Sequence, residues 1–135
     1  VLAVLGVVTI ALGVSACSAV RNDLGTSNGP CYVAIPAATA AVHHTGKLAG
    51  LRLERVAALH RTSHLYQVAG GAGAGSQRVC LVAFKGSFDH SGVTAPQGRS
   101  QGGFAVVVLS YPDNHVLGTV ILRRPPVDFG HSHLL

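Results

Sequence analysis

Residues 104–122 read FAVVVLSYPDNHVLGTVIL, and this stretch decides the fold. Its flanks, FAVVVLS at 104–110 and VLGTVIL at 116–122, are rich in apolar and β-branched residues. Such side chains suit the pleated surface of a sheet. Between them Tyr111-Pro112-Asp113-Asn114-His115 is turn chemistry, with Pro at the second turn position. The flanks therefore form a hairpin. Both of its faces are apolar, so something must cover each side.

Outward from the hairpin, Pro36 suits the first turn of a short helix over 37–44, ended by Gly46. Its run AATAAV has high helix propensity and supplies the cover for one face. Residues 51–59, LRLERVAAL, predict a strand, although Leu53, Val56, Ala57 and His60 also fit helical spacing. Arg61-Thr62-Ser63 reads as a turn and HLYQV, 64–68, as a strand. GGAGAGS, 70–76, is a flexible connection with nothing to pack. A strand over 78–84 carries CLVAF at its heart. DHSGVTAPQGRSQGG, 89–103, is a polar loop whose length makes it the expected mobile or binding element. Arg123-Arg124-Pro125-Pro126 ends the last strand, because Pro cannot donate to the ladder. The expected class is α+β: one short helix packed on a curved antiparallel sheet of four or five strands.

At the other end, residues 1–20 (VLAVLGVVTIALGVSACSAV) form an uninterrupted apolar run, just long enough to span a bilayer as a helix. The run opens at Val1 without Met or a basic region, so further residues are expected before it. Within it, Val14-Ser15-Ala16-Cys17 resembles the lipobox of bacterial lipoproteins. That resemblance implies that Cys17 receives a diacylglyceryl group, that residues 1–16 are removed as a signal peptide, and that Cys17 becomes an acylated N-terminus. Two or more acyl chains give durable anchoring where one gives only marginal binding. The other reading of 1–16 is an uncleaved signal-anchor helix. Residues 17–30 then form a flexible tether, rich in Gly, Ser, Asn and Pro. Residues 31–130 form a single α+β domain, and 131–135 a His-containing tail.

With Cys17 lipidated, Cys31 and Cys80 remain. Export places them in an oxidising compartment, so they are expected to pair. The bridge closes a loop of about 50 residues, worth roughly 4 kcal/mol in the chain-entropy model.

Ten basic residues stand against five acidic ones, a net charge of +5. That excess favours anionic partners such as lipid headgroups or acidic wall polymers, or serves solubility alone. Arg123-Arg124 is the only adjacent basic pair, a pattern that does not favour nucleic acid. Tyr32, Phe84, Phe88, Phe104 and Phe129 are expected in the core, with Tyr66 and Tyr111 at the surface. There is no GxGxxG, P-loop or HExxH motif. Glu54 is the only Glu, which argues against a glycosidase-type carboxylate pair.

Eight His stand out, as His43-His44, His60 with His64, His90 with His115, and His131-Ser132-His133. In an extended tail His131 and His133 point the same way and can share one Cu(II) or Zn(II) ion. Ser87, Asp89, His90 and Ser91 suggest a Ser-His-Asp triad, but neighbours on one chain rarely bond in series. Asp89 is better read as capping its own turn. The sequence thus points to a lipid-anchored envelope protein, non-enzymatic, without a cofactor, and serving as a binding or accessory module for an envelope protein or an anionic surface. His-based metal handling is the alternative, and a hydrolase uniting His90 with Ser87 the second alternative.

Overall fold

The computed structural model describes residues 26–125. A 3-10 helix, Thr26–Ala34, leads directly into helix α1, Ile35–Ala41. Strand β1 (Lys47–Arg55), helix α2 (His64–Val68) and strand β2 (Arg78–Asp89) follow. Strands β3 (Pro96–Gly98), β4 (Gln101–Ser110) and β5 (Val116–Leu122) complete one five-stranded sheet, ordered β1-β2-β4-β5-β3. The class is α+β.

The hairpin is formed as its composition demands. Val106 faces Val120 and Ala105 faces Ile121 across the β4–β5 ladder. β2 pairs antiparallel with β4 on one side and β1 on the other. Expectation fails at the far edge: β3 runs parallel to β5, so the sheet is mixed. It is also open and not strongly curled, where a curved antiparallel sheet was expected. Gly98 permits this pairing. Its φ is +81°, and an added Cβ would lie 2.7 Å from the Ile121 carbonyl oxygen. Only Gly accommodates both conditions cheaply.

Both faces of the sheet are covered, giving three layers. On the first face, Val82, Phe84, Ala105, Val107, Leu109 and Ile121 pack under Ala34, Ala38, Ala41 and Val42. This is the cover the Ala-rich segment was expected to give. On the second face, Val79, Leu81, Ala83, Val106 and Val108 pack against Val56, Leu59, Ala69 and Ala74. Small residues in the α1 segment let its backbone approach the sheet closely, and each large aliphatic side chain buried there contributes about 1.5–3 kcal/mol.

The second cover was not expected, because its parts read differently in sequence. β1 ends at Arg55, and Val56–Ala58 turns away as a 3-10 turn with Val56 fully buried. Residues 64–68 are helical rather than extended. The Ser63 side chain accepts a hydrogen bond from the Tyr66 N–H, which starts a helix where a turn and strand were expected. Gly71–Ala74 forms a 3-10 turn whose Ala74 is buried, so this connection does pack. The helix expected over 37–44 ends at Ala41, and the next turn closes through His43 and His44 at φ 54° and 59°. The end of the expected tether, residues 26–30, is wound into the first 3-10 helix.

Residues 89–103 are not one long loop. Asp89 caps a 3-10 turn at His90–Gly92, and Val93 is buried in the first core. Thr94 donates to the Ala41 carbonyl, and Arg99 to that of Ile121. These bonds stitch the segment to α1 and to β5. Cys31 and Cys80 are joined, with Cα atoms 5.6 Å apart, tying the first 3-10 helix to the middle of the sheet.

Candidate functional site

A concavity lies on the second face, where residues 58–65 pass beside β5. It is a half-open groove of about 880 Å³. That falls within the roughly 300–1,000 Å³ of sites that take one small molecule.

The floor is apolar. Leu59 and Val120 are buried at its base, and the half-buried Leu65 and Leu122 flank them. Leu59 is held by the 3-10 turn, donating its N–H to the Val56 carbonyl at 3.0 Å. Leu65 belongs to the first turn of α2. Val120 and Leu122 come from β5, two residues apart and hence on one face.

The rim is a tight turn. The Ser63 N–H donates to the His60 carbonyl at 2.9 Å, and the Ser63 hydroxyl donates to the same oxygen at 2.6 Å. Thr62 Oγ1 and His60 Nδ1 stand 3.3 Å apart. His60, Arg61 and His64 are exposed along this edge. Among the described residues, none of the side chains lining the groove is acidic. Arg61 has no carboxylate partner among the described residues, where the ion pair found is Arg52 with Glu54. The site therefore combines an apolar floor with a fixed positive charge and imidazole N–H donors.

The other candidate residues fall elsewhere. Cys17, His131, His133 and Phe129 lie outside the described residues. His43, His44, His90 and His115 are exposed, and no three His, Cys, Asp or Glu converge as metal ligands among the described residues. Asp89 is engaged by its own turn, accepting from the Ser91 hydroxyl at 2.6 Å and from the Ser91 and Gly92 N–H groups. Chiefly the Ser91 hydroxyl, then the Gly92 N–H, hold its carboxyl below the ordinary range. These are the bonds of a turn cap, as the sequence reading had it.

Phe84 and Phe88 are buried, while Phe104 and Tyr32 are half-buried. Tyr66 and Tyr111, expected at the surface, are half-buried against the second and first cores, and the Arg78 guanidinium lies 4.9 Å from the Tyr111 ring centre. No helix among the described residues is long and apolar enough to cross a membrane.

Sequence reasoning missed the groove. The available signal was LHRTSHL, 59–65, in which two Leu bracket a basic polar turn. Comparison with family models, curated proteins and solved structures gave no match.

Proposed function

We propose that this chain is a non-catalytic binding module displayed on the outer side of the cytoplasmic membrane, tethered through acylated Cys17. The observation that carries the binding role is the groove between residues 58–65 and β5. It is apolar at its base, charged at its rim, and sized for one small molecule. Supporting the location are the lipobox-like Val14-Ser15-Ala16-Cys17 and the Cys31–Cys80 pairing, since disulfides persist in oxidising compartments. In this reading the groove, rather than residues 89–103, is the contact element.

Two measurements test it. Intact mass of the natively expressed chain, extracted from membranes without reductant, should show a product that begins at Cys17 and carries added acyl mass. Cys17→Ala should lose that mass. An unmodified chain still carrying residues 1–16 would overturn the anchor. For the groove, envelope small molecules are screened by ligand-observed NMR against the wild type and a Leu122→Gln variant. Hits that weaken in the variant place binding at β5; a screen whose every hit is indifferent to it would sink the binding role.

A further inference from the structure

From the charge and shape of the groove we infer its ligand class: a single-chain fatty carboxylate, with the acyl chain on the Leu59–Leu65–Val120–Leu122 floor and the carboxylate at Arg61. This inference rests on the groove being the binding element, and adds what it binds.

Three features converge on that chemistry. The four side chains of the floor are aliphatic and carry no hydrogen-bonding group, so they gain free energy only by leaving water. Such a floor suits a hydrocarbon chain better than a sugar or a peptide backbone, whose polar groups would be left unsatisfied there. The rim supplies the opposite chemistry. Arg61 presents a planar set of N–H donors that matches a carboxylate in a two-bonded pair. His64, on the same rim, has one ring N–H to donate in either neutral form, and His60 has one at Nε2 when its Nδ1 accepts from Thr62 Oγ1. With no acidic side chain among the described lining residues, none of them competes for Arg61 or repels an anion.

The size selects one chain rather than a membrane patch. The groove is a bounded hollow between one strand and one short turn, and its volume fits a single small molecule. A bilayer surface would instead call for a broad cationic face, whereas the basic residues here are scattered.

The test is photolabelling of the full chain in nanodiscs of zwitterionic lipid. The probe is a fatty acid with a diazirine on its acyl chain, and labelled sites are mapped by mass spectrometry. The matched fatty alcohol and the matched alkyl trimethylammonium carry the same diazirine. The carboxylate probe should label peptides spanning 58–65 and 120–122, and the alcohol and ammonium probes should not. Arg61→Gln, checked for native circular dichroism, should reduce that labelling about tenfold, as expected for loss of a charge-assisted hydrogen bond. Equal labelling by the alcohol or ammonium probe, labelling spread along the chain by bilayer contact, or indifference to Arg61→Gln would each overturn the assignment. If the neutral probe labels the groove and the carboxylate does not, the ligand class falls while the groove stands as a binding site. If no probe labels the groove, the carboxylate assignment falls, and the NMR screen decides whether the groove binds anything else.

Discussion

Val68 of α2 rests on Gly118 of β5: a Cβ added at Gly118 would lie 2.8 Å from Val68 Cγ1 and 3.5 Å from Cγ2. The missing side chain on the strand makes room for the helix, and the helix in turn carries Leu65 to the groove. Val is stiff at χ1, so it cannot swing clear of an intruding group without moving α2.

Gly118→Val should therefore destabilise the domain by about 1–3 kcal/mol, the usual cost of overpacking. Val68→Ala, by removing the obstructing methyls, should recover a substantial part of that loss in the double variant. Urea unfolding of the four members of the cycle measures the coupling. Additive losses would mean that the two side chains do not meet.

The capping of α2 gives a second prediction. Ser63 accepts from the Tyr66 N–H and donates to the His60 carbonyl, so one hydroxyl fixes both the helix start and the groove rim. Ser63→Ala should cost about 1 kcal/mol, as loss of an N-cap does. Hydrogen exchange should speed up at the first amides of α2 while the β4–β5 amides keep their protection. Unchanged exchange across residues 60–68 would remove Ser63 from this role.

How much of this was legible beforehand follows from the length and context of each signal. The β4–β5 hairpin could be read because two long apolar runs flank strong turn chemistry. Cys31 and Cys80 could be paired once Cys17 was set aside. Five residues, HLYQV, are too few to separate a period of 2 from one of 3.6, so α2 is decided by its cap at Ser63, a residue whose neighbours Arg61 and Thr62 read as a turn. β3 carries no strand signal in Pro-Gln-Gly; its place is set by β5 and by the freedom of Gly98. The groove was invisible because Leu59 and Leu65 are some sixty residues from Val120 and Leu122, and only the packing of the second cover brings them together.

The bridge between Cys31 and Cys80 spans 49 residues and pins the first cover to the sheet. Its removal in the Cys31→Ala, Cys80→Ala variant should lower stability by about 4 kcal/mol in the chain-entropy model. α1 should lose exchange protection before β4 does, because the residues that lead into α1 lose their covalent tie. Guanidinium unfolding of both forms checks this. A loss below about 1 kcal/mol would show that burial alone holds this cover.

Asp89 sets an acid limb. Its carboxyl lies below its ordinary range because its charged form accepts three hydrogen bonds from Ser91 and Gly92. A carboxyl depressed by folding contributes stability above its unfolded pKa and loses it as pH falls through the folded one. The contribution should be present at neutral pH and fade below about pH 4. Asp89→Asn should flatten that limb, seen as a smaller fall in Tm between neutral and acidic buffers. An identical pH profile in the variant would mean that the cap is not formed in solution.

Thr119 gives the sharpest test of the first core. It lies opposite Val107 on β4 and so points to the face covered by α1; it is fully buried, and its hydroxyl has no hydrogen-bond partner among the described residues. An unpaired buried hydroxyl is a net cost of about 1–3 kcal/mol, since it has given up water and gained nothing. Val has nearly the same shape, keeps the β-branch that suits a strand, and has no polar group to satisfy. Thr119→Val should therefore raise stability by about 1 kcal/mol or more, against the usual direction of a core substitution. Thermal and urea unfolding read the sign directly. A destabilised variant would mean that the hydroxyl is bonded after all, through a buried water or a shifted α1 carbonyl, and the packing of α1 over β5 would need redrawing.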